Sequence, residues 1–167
     1  MARALIVGCG CRGRALSLQL REAGWQVRGT TRDRTKADEI TAAGLEGAVA
    51  DPNLVGTVLE EIADVTLVFW LMGSVVGDDE HVAAIHGARL ERLMEEIVDT
   101  PVRGVVYEAA GTAPRDLLLR GQEIVRAARE RWRIRVAVVD ADPGNADAWL
   151  EAMTGAAERL IGAGRLG

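Results

Sequence analysis

The sequence is short of lysine, cysteine, histidine and aromatic side chains, and each shortage closes off a class of function. The two cysteines, Cys9 and Cys11, flank one glycine, which excludes a disulfide framework. Two ligands from a single turn do not make a metal site either, so both are expected to be small residues filling a crowded loop. His81 and His86 are the only histidines. Five residues apart, they do not share a helix face, which leaves surface or loop positions as the expectation and no metal site. Aromatics make up 4% of the chain, as one phenylalanine, one tyrosine and four tryptophans. The net charge of −5 argues against a nucleic-acid partner and against polybasic membrane attachment. The longest apolar stretch, Val65 to Gly73, is too short to span a bilayer. The N-terminus enters a strand without the pattern of a signal peptide, so a cytoplasmic location is expected.

What is present is a rhythm of short apolar runs and longer amphipathic ones over 167 residues, a length that suits one domain spanning 1–167. Strands are predicted at Ala4–Val7, Trp25–Thr30, Gly47–Ala50, Val65–Met72, Val102–Tyr107 and Ile134–Val139. Helices are predicted at Arg14–Ala23, Thr35–Ala43, Asn53–Ala63, Asp79–Val98 and Arg115–Trp132. A final helix carries Trp149, Leu150, Met153, Ala157, Leu160 and Ile161 on one stripe, before Gly162 and a short glycine-rich tail. Alternation of this kind implies right-handed crossovers and a parallel sheet. Six strands fit the doubly wound α/β order 3-2-1-4-5-6, with helices on both faces. No repeat or linker divides the chain.

The first strand runs directly into Gly8-Cys9-Gly10-Cys11-Arg12-Gly13. This matches G-x-G-x-x-G in its confirming context, after a strand and at the opening of a helix. Gly8 permits the tight turn, Gly10 lets backbone approach a pyrophosphate, and Gly13 lets the helix pack close to the sheet. The helix N-terminus offers free N–H groups and a positive dipole end to phosphates, and Arg12 adds charge. Residues 1–50 thus read as the phosphate- and adenosine-binding half of a Rossmann domain.

At the end of the second strand an NAD-specific domain carries a carboxylate for the ribose 2′-hydroxyl. Here the place is Thr30-Thr31-Arg32, and Asp33 falls in the following turn. Hydroxyls and a guanidinium bind a 2′-phosphate that a carboxylate would repel. NADP(H) is therefore favoured, with NAD(H) as the alternative, and Arg34 and Lys36 add charge nearby. Asp51, at the end of the third strand, can accept from an adenine amino group. Leu71-Met72-Gly73 ends the fourth strand at the switch point where ligands bind.

Together Ala4 to Leu16, Gly29-Thr30-Thr31-Arg32, Val49-Ala50-Asp51 and Arg103 to Tyr107 resemble the extended and atypical short-chain dehydrogenase/reductase superfamily. The likeness is to the small sugar-nucleotide-epimerase-like members of its NAD-dependent epimerase/dehydratase group. The resemblance implies that Gly8, Gly10, Arg12 and Gly13 hold the pyrophosphate, and Cys11, in the same loop, is expected among the cofactor-binding residues. It places Thr31 and Arg32 on the 2′-phosphate, Asp51 on the adenine and Leu71 to Gly73 along the ribose. It also implies a tyrosine with a lysine four residues later, the lysine lowering the tyrosine pKa for proton transfer. This chain has one tyrosine, Tyr107, and Gly111 stands four residues on. The sole lysine, Lys36, lies in the cofactor half. A substrate lobe of ~100 residues, typical of larger members by resemblance, is expected to be absent.

The remaining candidates carry two readings each. Tyr107 and Glu108 can be an acid or base near a nicotinamide, or a half-buried strand tyrosine and a loop cap; no partner completes a proton-transfer pair, which favours the second. Asp140, Asp142 and Asn145 are either contacts for a polar substrate or turn and cap residues. Gly73 to Glu80 reads as a mobile loop over the site. The Trp149 stripe packs on the sheet or contributes to a homodimer seam. The expected function is an NADP(H)-binding Rossmann protein, as an oxidoreductase or epimerase-like enzyme on an unknown small molecule, or as a non-catalytic redox-sensing module.

Overall fold

The computed structural model describes residues 2–165. Six parallel strands form one sheet in the order β3-β2-β1-β4-β5-β6. They are β1 (Arg3–Val7), β2 (Gln26–Thr31), β3 (Glu46–Val49), β4 (Leu67–Trp70), β5 (Gly104–Glu108) and β6 (Arg135–Val139). The helices are α1 (Cys11–Glu22), α2 (Arg34–Ala42), α3 (Val55–Leu59), α4 (Asp79–Ile85), α5 (Ala88–Glu96), α6 (Arg115–Trp132) and α7 (Ala146–Arg165). This is the doubly wound Rossmann fold.

Alternation along the central strands divides the core in two. Ala4, Ile6, Phe69 and Val106 face one side, where Leu16 and Leu20 of α1, Ile40 of α2 and Trp149, Met153 and Leu160 of α7 cover them. Leu5, Val7, Val68, Trp70, Val105 and Tyr107 face the other, under residues of α3, α5 and α6. β4 is buried along its whole length, as a central parallel strand covered on both faces must be. The apolar stripe of α7 is used against this sheet. Full burial of each large aliphatic side chain in these layers contributes ~1.5–3 kcal/mol.

Several predicted elements differ from the structure in their bounds. α1 begins at Cys11, three residues before the predicted Arg14, because the glycine loop turns straight into the helix. The predicted helix over 53–63 is only α3, and residues 59–65 continue as i to i+3 turns. The long helix predicted over 79–98 is broken at His86-Gly87 into α4 and α5, with a 3-10 turn at Ile97–Asp99. A Cβ at Gly87 would sit 2.8 Å from the Ala83 carbonyl oxygen, so the backbone there packs too tightly for a side chain. The break turns His86 fully into the core rather than onto the surface. α7 continues through Gly162 to Arg165 in place of the predicted tail, of which Leu166 and Gly167 lie outside the described residues.

At the N-terminal edge of the sheet, Arg3 and Arg28 pair with Glu46 and Asp64 at 2.7–3.0 Å. Exposed pairs of this kind contribute about 0–1 kcal/mol each. They also neutralise that edge and leave the opposite, C-terminal edge electrically distinct.

Candidate nucleotide-binding site

At the C-terminal edge, the turn from β1 into α1 and the ends of β2, β3 and β4 enclose an open cleft of about 360 Å³. Gly8 has φ +91°, and a Cβ there would lie 2.6 Å from the Leu71 carbonyl oxygen. Both the backbone conformation and the space thus require glycine. Gly13 is equally confined, since its Cβ would meet the Gly8 carbonyl oxygen at 2.9 Å. Gly10 differs, because no atom lies within 4 Å of a Cβ built on it. Its lack of a side chain leaves open space toward the cleft.

The twelve-residue helix α1 starts at this opening with no side-chain cap and no acidic residue in its first turn. α2 and α4 are capped by Asp33 and Asp78, which accept from the Thr35 and His81 N–H groups at 2.7 and 2.9 Å. An uncapped N-terminus retains unsatisfied donors and its positive dipole end, the chemistry of an anion site. Arg12 lines the cleft beside it. These residues fit a pyrophosphate.

Thr30, Thr31 and Arg32 line the same cleft at the end of β2, joined by Lys36 and Arg14. Arg32 is exposed, whereas Arg14 is held by Glu39 at 2.9 Å. Because Asp33 is committed to capping α2, the end of β2 offers hydroxyl and cationic groups and no free carboxylate. Asp51 borders the cleft with one carboxylate oxygen accepting from the Asn53 N–H at 2.9 Å. Leu71 and Met72 form the wall from β4, continued by Ser74 and Val75.

All the expected binding residues except Gly13 and Gly73 therefore border one cleft. Gly13 lines a smaller cavity of about 150 Å³ that shares Gly8, Gly10, Cys11, Arg12 and Leu71 with the cleft. Gly73 borders neither and is buried behind the wall. The two cysteines part company: Cys9 is buried, 3.8 Å from Ser17 Oγ, but Cys11 is exposed. Burial pushes the Cys9 thiol up, away from reactivity.

Tyr107 and Glu108, adjacent at the end of β5, have different surroundings. Tyr107 is fully buried rather than half-buried and lines neither cavity. Its hydroxyl lies 2.7 Å from His86 Nδ1, and its burial raises its pKa. Glu108 is the last residue of β5 and lines the smaller cavity together with Leu71, Trp149 and the glycine loop. Its Oε1 accepts from the Gly73 N–H and its Oε2 from the Trp149 indole N–H, both at 2.8 Å. Burial raises its pKa, opposed by these two hydrogen bonds and by the charge of Arg12. Sequence reasoning missed Arg14, Trp149 and the burial of His86. The residue pair His86-Gly87 within a helical pattern is the one signal that could have flagged the last of these.

The turn after β6 is a turn. Asp142 accepts from the Gly144 N–H and Asn145 caps α7 by accepting from the Ala148 N–H. The segment after Gly73 is tied down at its start, where the Gly73 carbonyl accepts from the Ala113 N–H at 2.9 Å. Glu80, predicted within this loop, lies in α4. Among the described residues no cluster of metal-ligating side chains occurs, and no helix is long and apolar enough to cross a membrane.

No family model matches the chain. No curated protein matches it either. Solved structures do. A short-chain dehydrogenase/reductase superfamily protein from Agrobacterium tumefaciens with bound NAD is 21% identical, with a TM-score of 0.67 over 81% of this chain and 48% of that one. Yeast methylglyoxal/isovaleraldehyde reductase complexed with NADPH is 13% identical, with a TM-score of 0.63 over 85% of this chain and 55% of that one. UDP-glucuronic acid 4-epimerase from Bacillus cereus in complex with NAD is 12% identical, with a TM-score of 0.62 over 84% and 56%. At these identities the likeness is one of fold. The chain spans about half the length of each of these structures.

Proposed function

We propose that this chain binds a dinucleotide in the cleft beside α1, prefers NADP(H), and belongs to the short-chain dehydrogenase/reductase superfamily in its epimerase-like branch. The observation that carries this is the uncapped N-terminus of α1 at the open Gly10, facing the same cleft as Thr31, Arg32 and Lys36. Gly8, Gly10, Cys11, Arg12 and Gly13 would hold the pyrophosphate. Thr30, Thr31 and Arg32 would meet the 2′-phosphate, Asp51 the adenine, and the Leu71 and Met72 side of the wall the ribose, with Gly73 buried behind it. The neighbouring structures hold NAD or NADPH in the same fold, which supports a dinucleotide and leaves the choice between the two to the residues at the end of β2.

A bound nicotinamide supplies hydride-transfer chemistry, and this chain's contribution would be to hold and orient. As an enzyme it would be an oxidoreductase or isomerase acting on a small molecule. A second reading, a non-catalytic NADP(H)-binding or redox-sensing module within a single domain, is favoured by Tyr107. The one tyrosine is buried against His86 and cannot serve a substrate.

Fluorescence titration with NADPH and NADH tests the binding claim. NADPH is expected to bind in the micromolar range and at least about tenfold tighter than NADH, a difference of about 1.4 kcal/mol. Arg32→Glu should erase that preference by weakening NADPH alone. Equal weakening of both nucleotides would remove the 2′-phosphate assignment. Turnover of NADPH with a panel of carbonyl compounds would separate the enzyme from the module.

A further inference from the structure

Behind the cleft wall, one peptide unit is gripped from two directions by buried ionisable side chains. The carbonyl of the Met72–Gly73 peptide lies 2.8 Å from His86 Nε2. Its N–H donates to Glu108 Oε1 at 2.8 Å. A carbonyl only accepts, so His86 carries a proton on Nε2, and in the neutral form that burial favours its Nδ1 accepts. The Tyr107 hydroxyl lies 2.7 Å from Nδ1 and 3.4 Å from the Leu118 carbonyl oxygen, so its one proton goes to the nearer acceptor, Nδ1, which fixes this tautomer. On the other side, the Trp149 indole N–H holds the second oxygen of Glu108 at 2.8 Å. His86 and Glu108 are 0% and 2% exposed, so neither interaction is shared with bulk water.

Several costly features of the chain converge on this arrangement. The helix predicted over 79–98 breaks at His86-Gly87, which brings the imidazole inward. Gly121 leaves room for the Tyr107 ring, since a Cβ there would collide with the Tyr107 hydroxyl. Gly73 itself has no room for a side chain, because a Cβ would meet the Ala110 carbonyl oxygen and lie 2.8 Å from Glu108 Oε1. Two buried titratable groups are expensive to keep without a role, and burial moves both toward their neutral forms. The residues they hold adjoin the glycine loop directly. The Leu71 carbonyl and the Met72 side chain are what a Cβ at Gly8 would strike.

We propose that His86 and Glu108 are positioning residues of the nucleotide site, clamping the Met72–Gly73 peptide so that the end of β4 stays seated against the glycine loop. Tyr107 and Trp149 orient the two clamping side chains. Both hydrogen-bonding groups of the peptide are engaged inside the protein, so it acts as a fixed wall and not as a ligand to the nucleotide. This inference rests on the dinucleotide reading of the cleft. It gives the lone tyrosine and the buried glutamate a shared purpose that is not proton transfer to a substrate.

The test pairs variants that remove a clamp contact with variants that keep it. His86→Leu loses the donor to Met72, whereas His86→Gln keeps an N–H of similar reach. Glu108→Leu loses both acceptors. Glu108→Gln keeps one, and combining it with Trp149→Phe removes the competing donor, so the amide oxygen is left for Gly73. NADPH affinity and the hydrogen exchange of the Gly73 amide are measured on folded protein. Each leucine variant is expected to weaken NADPH at least tenfold, and Glu108→Leu to speed Gly73 exchange. His86→Gln should stay within about threefold of the wild type, and Glu108→Gln/Trp149→Phe within about threefold of Trp149→Phe alone. Should a leucine variant fail to fold, the glutamine variants decide, because loss of NADPH affinity and of Gly73 protection in both would overturn the clamp. Leucine variants that fold and bind NADPH as tightly as the wild type would also overturn it, with the dinucleotide reading intact. A wild type that binds neither NADPH nor NADH would overturn the dinucleotide reading, and with it the clamp's role in the site.

Discussion

His86 shows how one side chain couples packing to pH. Burial holds its pKa below the ordinary value of 6.5, with the hydrogen bond to the Met72 carbonyl pulling the other way. A base depressed in the folded state contributes stability that is complete above its unfolded pKa and is lost as pH falls through the folded one. Glu108 has the opposite sign: its pKa is raised, so its contribution favours low pH and is lost as pH rises through the folded value. His86→Gln cannot titrate but leaves Glu108 in place, so comparing the two proteins isolates the histidine. The urea midpoint of the wild type is expected to fall relative to that of His86→Gln as pH drops below 6.5, and parallel pH profiles would show that His86 is not held neutral. Gly8 gives a second residue-scale prediction. Alanine there must adopt φ near +91° and press on Leu71 and Met72. The backbone term alone costs about 1–2 kcal/mol. Gly8→Ala should lower the thermal midpoint and abolish nucleotide binding. A variant with wild-type affinity would contradict the tight turn as a requirement.

At the scale of elements, the N-terminus of α1 sets local stability against binding. A carboxylate at the N-cap normally stabilises a helix, by accepting from the free N–H groups and by complementing the dipole. Gly10→Asp is therefore expected to stabilise the fold by a few tenths to about 1 kcal/mol while weakening NADPH and NADH together, because the aspartate occupies the anion's place. Thermal denaturation and nucleotide titration of one preparation check both halves, and undiminished binding would locate the phosphates elsewhere. The same contrast explains what was legible in the sequence. Elements with strong periodicity are readable to within a few residues, with a terminal glycine in β1 and α2 and without one in α6, and so is the sheet order that follows from their alternation. Glycine spacing and the end of β2 placed most of the candidate site for the same reason: local backbone geometry demands particular residue types. Failures came where tertiary contacts override local pattern. The predicted helix at 79–98 is apolar at helical spacing on both sides of His86-Gly87, and its break goes with the close packing at Gly87 and the contacts of His86 with Tyr107 and Met72. Glu108 and Trp149 stand 41 residues apart, and no periodicity connects them.

Across the whole molecule, charge is distributed against its own net value. The chain carries −5 overall, yet Arg12, Arg14, Arg32 and Lys36 line the cleft, with Asp51 as the one carboxylate among its lining residues. Acidic residues cluster instead at the opposite edge of the sheet, where Glu46, Glu61 and Asp64 surround Arg3 and Arg28. The doubly wound topology produces this separation, because every parallel strand presents its C-terminal end to the same edge. The cleft thereby keeps an attractive local field for an anion within a protein that repels anions at long range. Arg14 is partly neutralised by Glu39, so the exposed Arg32 and Lys36 dominate the end of the cleft assigned to the 2′-phosphate. Screening then distinguishes the two nucleotides. The Debye length shrinks from roughly 10 Å at 0.1 M salt to about 3 Å at 1 M, and exposed charges lose most of their attraction over that range. The dissociation constant for NADPH is expected to rise steeply between 50 mM and 500 mM salt, while that for NADH rises by a smaller factor. Their ratio should shrink with added salt, and Arg32→Glu should flatten the NADPH curve toward that of NADH. Identical salt dependence for the two nucleotides in the wild type would mean that Arg32 and Lys36 do not meet the extra phosphate, leaving the pyrophosphate at α1 as the charge the cleft recognises.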